Sequence, residues 1–349
     1  MPVRPRLIRE GLIRLYYRWA NPSERPAVEK RPLCMLHNPR YSENLRQLAA
    51  EAFDLAGHLC ACCRNVHAVW PYIRLSRAST GVETGISGLE QLIGELVGGG
   101  RRRVLIGGAR DTGILALVAR AGADHGADIV VLDVCATPLE LCRRFAQRWS
   151  LTIETVREDL ANLGRERDFD VVIIHGTLSY IPENERAKAL RHIARSLRHD
   201  GRLVLLFNTS ERIHGPLASQ HDDGYPEWVI NELRRLHVPL PEPADAFAAR
   251  LKADAQAREA REGAFTTLKQ VDALLGSAGF AVETRRQIEV NLVGPMKHFV
   301  SRISKRRYLA VASLKPDYSY HLHACLNRKI CGGWYEARKP GELFLDHEL

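Results

Sequence analysis

Along the first hundred residues the apolar positions recur at helical spacing, and beyond them they gather into short unbroken runs separated by helical stretches. Leu7, Ile8, Leu12, Ile13, Leu15, Tyr16 and Trp19 alternate with arginines in a first helix that ends at Asn21-Pro22, because the residue before proline leaves the α region. Pro26 and Pro32 mark a linker. A second helix is predicted over about 42–63, with Leu45, Leu48, Ala49 and Ala52 on one face, and a third over about 86–97, stopped by Gly98-Gly99-Gly100.

From Arg103 the rhythm is strand, helix, strand. Val104–Ile106, Ile129–Leu132, Val171–Ile174 and Leu203–Phe207 are apolar throughout, as strands buried on both faces are, and Ile153–Val156 is a further strand between them. Helices separate them. After the second strand, Thr137, Pro138 and Glu140 have the positions of a cap, a first helical residue and a capping box. Alternation of this kind builds a parallel α/β sheet. Residues 208–264 interrupt it with a proline-rich bend (Pro239, Pro241, Pro243) between helices at about 226–236 and 244–262. The rhythm resumes with a helix at 267–277, capped by Thr267 with Gln270, and strands at Phe280–Thr284 and Tyr308–Leu314. The organisation expected is a helical N-terminal lid or substrate region (1–100), an α/β domain (101–314) with the 208–264 insertion, and an irregular tail (315–349).

Composition changes this picture little. The 349 residues are 45% hydrophobic and 26% charged, ordinary for a globular chain. No apolar run reaches the ~20 residues that span a bilayer. The arginines break up any signal-peptide core, so a cytoplasmic protein is expected. The net charge of +9 comes partly from clusters at Arg4–Arg18, Arg101–Arg103 and Lys305–Arg307. No aromatic-interleaved nucleic-acid motif accompanies it, so a nucleic-acid partner is not expected, and a homodimer is left open. The arginine-rich first helix reads best as packed on the α/β domain with its charges in solvent; lying on an anionic membrane is the other reading.

The candidate chemistry lies at the ends of the strands. Gly107-Gly108-Ala109-Arg110-Asp111-Thr112-Gly113 is a glycine turn between a strand and a helix, where backbone can approach a cofactor closely. Asp133 ends the second strand, placed to accept from ribose hydroxyls. Asp159 follows the third strand beside Glu158, where it can accept from an adenine amino group, and His175 ends the fourth. In open α/β sheets ligands bind at these strand ends.

On the glycine turn, Asp133, the Glu158-Asp159 pair, Phe169–His175 and Leu197–Val204, the chain resembles the class I S-adenosylmethionine-dependent methyltransferases over about residues 103–314. The resemblance implies a Rossmann-like sheet of seven strands, mostly parallel with the last antiparallel, and S-adenosylmethionine as cofactor. It implies contacts from Gly107, Gly108, Ala109, Asp111, Gly113, Asp133, Val134, Asp159, Leu160 and His175. Two positions depart from the family: Ile106 stands where an acidic residue is usual, and Arg110 replaces the middle glycine. Asp111 is a candidate for the missing carboxylate. His199-Asp200-Gly201 also replaces the usual Pro-Gly-Gly turn. A nicotinamide-dependent dehydrogenase shares the turn and the ribose acid, but not the adenine-side acidic pair or the closing hairpin.

The acceptor is expected over the end of the fourth strand, where His175–Pro182 lacks the Asn/Asp-Pro-Pro-aromatic sequence that accompanies methylation of base or glutamine amines. His175 is a candidate general base or a residue that shapes the pocket, and Tyr180 a candidate for lining the methyl site or ordinary core. A small-molecule acceptor is expected. An RNA or protein methyltransferase, or a non-catalytic adenosyl-ligand-binding protein, are the alternatives. The eight cysteines form no disulfide framework. Cys60-x-x-Cys63 is one half of a zinc spacing, with Cys325 or Cys331 the conceivable completion. Lacking a second pair, it is read as free cysteines on a helix face, and no metal is expected.

Overall fold

The computed structural model describes residues 39–61, 63–76, 86–212, 224–259, 265, 267–288 and 303–316. The arginine-rich first helix, Cys34, Cys62, Cys325, Cys331 and the tail beyond 316 lie outside the described residues. Among the described residues three helices precede the sheet: α1 (Pro39–Leu59), α2 (Arg64–Leu75) and α3 (Ile86–Gly98). The α/β part follows as β1 (Arg103–Gly107), α4 (Gly113–Ala121), β2 (Asp128–Asp133), α5 (Ala136–Trp149), β3 (Ile153–Arg157), β4 (Phe169–His175), α6 (Glu183–Ser196) and β5 (Leu197–Arg212). Then come α7 (Gly224–Arg235), α8 (Ala244–Glu259), α9 (Leu268–Ser277), β6 (Phe280–Ile288) and β7 (Ile303–Leu314).

The seven strands lie in the order β3-β2-β1-β4-β5-β7-β6. The β1–β2, β1–β4, β2–β3 and β4–β5 pairs are parallel, and β7 runs antiparallel to both β5 and β6. This is the mostly parallel seven-stranded sheet with an antiparallel last strand that the sequence leads one to expect. The apolar runs explain why it forms. Val104–Ile106, Ile129–Leu132 and Val171–Ile174 are all at most 3% exposed, so these strands are covered on both faces. The order reverses between β1 and β4, which opens a crevice beyond their C-terminal ends.

Several elements differ from expectation in physically readable ways. The second helix stops at Leu59 rather than Cys63, and α2 was not foreseen. Helix α2 has Pro71 inside it, a residue that reads as a helix breaker, and is buried at every position from His67 to Leu75. Strand β5 runs on to Arg212 because β7 pairs with it as far as Arg212↔Ile303. Helix α5 begins at Ala136 with Cys135 as its N-cap and no side-chain cap, so Thr137 is not the cap. Helix α9 has the capping box of Thr267 and Gln270 that its sequence spells.

At the opposite end of the sheet from the crevice, Arg103 ties four elements together. Its guanidinium contacts Asp128 at 2.6 Å, Glu154 at 2.9 Å and Asp168 at 3.4 Å, while its amide donates to Asp170 Oδ2 at 2.8 Å. The side chain is 21% exposed, so the network is only partly screened by water. Replacing Arg103 with Ala leaves three carboxylates close together and should cost about 1–3 kcal/mol, read as a lower urea midpoint with an unchanged slope.

Candidate functional site

The site is built at the C-terminal ends of β1, β2 and β4. Chain reversal after β1 needs Gly108 in the left-handed region, at φ 83°. A Cβ there would also lie 2.5 Å from the side chain of Thr177, whose hydroxyl donates to the Gly107 carbonyl at 3.0 Å. The turn is thus closed from the β4 side by Thr177, with no room for a larger residue at Gly108.

Asp133 hangs from the end of β2 beside this turn. Oδ2 accepts the Ala109 amide at 2.8 Å and Oδ1 accepts the Cys135 amide at 2.7 Å. Burial pushes its carboxyl up to about 6, while these amides and the Arg110 charge pull the other way. Each oxygen keeps a lone pair for a further donor. Next to it Val134 is 59% exposed, an apolar side chain left uncovered at a strand end. Asp159 accepts the Ala161 amide at 2.8 Å and caps the short 3₁₀ turn 160–162, and Glu158 accepts from the Gly164 amide at 3.2 Å. The Leu160 side chain turns inward and packs in the core with Leu105, Leu132 and Ile174.

Asp111 faces inward too. It is 8% exposed, with Oδ1 accepting the Gly113 amide at 2.8 Å and Oδ2 ion-paired to Arg74 of α2. Arg74 is 1% exposed and lies against Gly113, where a Cβ would meet its guanidinium at 3.0 Å. A glycine at 113 therefore makes room for a cation from the unforeseen helix. In the same turn Thr112 is 1% exposed, and its hydroxyl has no hydrogen-bond partner among the described residues.

Arg110, which replaces the usual glycine, is held between two aromatic rings. Its guanidinium carbon lies 4.3 Å from the Trp70 ring centre on α2 and 4.6 Å from that of Tyr180. Tyr180 is 41% exposed, so it stands at the rim rather than in the core. His175 ends β4 below them. Burial, with Arg307, Arg110 and Arg74 nearby, drives its imidazole down to about 3. It therefore carries no proton near neutral pH and is a weak base. The structure gathers Gly107, Gly108, Ala109, Asp133 and His175 around one crevice. Sequence reasoning missed Trp70 and Arg74, because the helix that carries them is short and has a proline inside it.

A second cluster adjoins this site. Cys60, Cys63, His67 and Cys135 converge, with their candidate ligand atoms all within 4.8 Å of one another. Cys60 and Cys63 lie in and beside the α1–α2 turn rather than on a helix face. Burial drives the His67 imidazole down to about 4 and the Cys60 thiol up to about 11.

The fold and the site geometry define a Rossmann-like domain with a crevice at the C-terminal ends of β1, β2 and β4. Residues 111–201 match the model of the methyltransferase domain family. The chain is 29% identical over 145 residues to a carboxy-S-adenosyl-L-methionine synthase of Photobacterium profundum, covering 38% of this chain and 59% of that protein. It is 27% identical over 130 residues to the enzyme of the same name from Alteromonas mediterranea, covering 34% and 52%. The match thus spans little more than half the length of these relatives. Among solved structures, a geranyl diphosphate methyltransferase in complex with GPP and sinefungin aligns at TM-score 0.42 and 11% identity, over 65% of this chain and 78% of that one. The mitomycin 7-O-methyltransferase MmcR aligns at 0.43 and 17%, over 80% and 70%.

Two outcomes follow from the geometry. Gly108→Ala meets both the positive φ and Thr177 and should destabilise the fold by about 1–3 kcal/mol, measured by thermal or urea unfolding. His175 is neutral in the fold but protonates below its ordinary value of 6.5 when unfolded. Its stabilising contribution is therefore present above pH 6.5 and lost as pH falls toward 3. Between pH 7 and 5 this is up to about 2 kcal/mol, so His175→Gln should lose less stability on acidification than the parent. Parallel stability curves for the two proteins would mean a solvated imidazole.

Proposed function

We propose that the protein transfers the methyl group of S-adenosylmethionine to a small-molecule acceptor held over the end of β4. The observation that carries this is the Asp133 carboxylate, hung by two backbone amides beside a glycine turn at the point where the strand order reverses. The residues present fit the cofactor. Asp133 has lone pairs for the ribose hydroxyls, exposed Val134 offers a face for the adenine, and Asp159 supplies an acceptor at its edge. The tight turn at Gly108, where no Cβ fits, lets the backbone come close to the cofactor.

S-adenosylmethionine supplies an electrophilic methyl carbon on its sulfonium. The protein's part is to position the acceptor in line with that carbon and to keep water away. Trp70, Arg110 and Tyr180 form a stacked wall at the rim of the crevice. It joins α2 to the end of β4, which supports the N-terminal helices as part of the acceptor enclosure. Arg74, Arg110 and Arg307 all act on His175 from around it, which favours an acceptor with an anionic group such as a carboxylate. His175 serves there as an uncharged hydrogen-bonding wall. An acceptor that is nucleophilic without losing a proton to it, or already ionised, suits a base this weak.

Calorimetry on the full chain tests the reading. S-adenosylmethionine or its demethylated product should bind and NAD should not. Asp133→Ala should weaken binding more than tenfold, about 1.4 kcal/mol. Unchanged affinity would remove Asp133 from the site. Labelled cofactor with a set of carboxylated and neutral small molecules should then place label on the former.

A further inference from the structure

We propose that Cys60, Cys63, His67 and Cys135 form a structural site for one zinc ion. Cys60 and Cys63 come from the α1–α2 turn, His67 from the first turn of α2, and Cys135 from the residue that caps α5. Cys63 and His67 are four residues apart at the start of a helix, so they lie on one face of it. The His67 amide donates to the Cys63 carbonyl at 3.3 Å, closing that turn. Cys60 Sγ is 3.2 Å from His67 Nδ1 and 3.5 Å from Cys135 Sγ. A tetrahedron with zinc–sulfur bonds of about 2.3 Å has edges of about 3.8 Å, so the four atoms need move only by fractions of an ångström to enclose the ion. A Cys-x2-Cys-x3-His run completed by one distant cysteine gives three sulfurs and one imidazole nitrogen. That donor set suits zinc and is foreign to calcium or magnesium.

The surroundings support a built site. Cys135 and His67 are buried and Cys60 and Cys63 half-buried, and all four corners come from the protein, as in structural rather than catalytic zinc sites. Thr137 is fully buried, and its hydroxyl lies 3.0 Å from Cys60 Sγ, placed to donate to a thiolate there. This is the residue that fails to cap α5. Binding displaces three thiol protons to solvent and leaves the site with net charge −1 (two positive from the ion, three negative from the thiolates). Arg110, which acts electrostatically on His67, is the neighbouring cation.

The site would tie the N-terminal helices to the loop after β2. Cys135 is two residues past Asp133 and donates its amide to that carboxylate at 2.7 Å. The ion thereby fixes the loop that presents the ribose acid, a consequence that rests on the cofactor reading above. Its presence does not.

The test is elemental analysis of the full chain purified without chelator and then supplied with zinc and dialysed. About one zinc per chain is expected. Cys135→Ser and the double variant C60S/C63S should fall well below half that, while Cys142→Ser, a buried cysteine outside the cluster, should keep the metal. Should the variants not fold, cobalt(II) exchanged into the parent protein gives an independent reading. Thiolate-to-metal charge transfer and intense tetrahedral d–d bands support the site. Chelation should lower the melting temperature, and zinc should restore it. Substoichiometric zinc after supplementation, iron in its place, or a Cys60–Cys135 or Cys60–Cys63 disulfide found by peptide mapping would overturn the proposal. A stoichiometric zinc whose removal leaves adenosyl-ligand affinity unchanged would keep the site and sink its link to Asp133.

Discussion

The ion pair between Arg74 and Asp111 is the constraint around which the site is arranged. A guanidinium 1% exposed has given up its hydration, and only a partner at contact and further hydrogen bonds offset that cost. The partner is the first acidic residue of the glycine turn, so α2 must lie where it does for the turn to hold its shape. Gly113 has no side chain because the cation occupies that space. Asp111 in turn spends its other oxygen on the Gly113 amide. Truncating either partner would leave a buried charge unmatched, which is far more damaging than losing a surface pair.

The departures of the glycine turn from the family pattern share a cause with this pair. Arg110 cannot be a glycine replacement that merely tolerates bulk, because its guanidinium is sandwiched between Trp70 and Tyr180. Helix α2 thus engages the turn twice, with Arg74 from below and Trp70 from the side. The same helix supplies His67 to the cysteine cluster. These three contacts fall within eight residues of a helix that has a proline in it and is buried from His67 to Leu75.

The electrostatics of the crevice run in one direction. Burial, with three arginines nearby, holds His175 neutral, while Asp133, next to backbone donors, is the acidic group at the end of β2. No helix among the described residues is long and apolar enough to cross a membrane.

The α/β core was legible in the chain because its determinants are local. Four unbroken apolar runs, the glycine turn and the Thr267-Gln270 capping box each act within a few residues of themselves. Asp133 and His175 were legible for the same reason, being the residues where such runs end. What only the tertiary structure decided are contacts between distant segments. The pairing of Arg74 with Asp111, the stacking of Arg110, and the meeting of Cys60 and Cys63 with Cys135 join residues 37 to 75 positions apart. Helix α2, which makes most of these contacts, is short and holds Pro71, which a reader of sequence takes as the end of a helix. The half-motif Cys60-x-x-Cys63 was visible. Its completion was not, because Cys135 reaches it only when β2 lies in the sheet and α1 and α2 pack against the α/β domain.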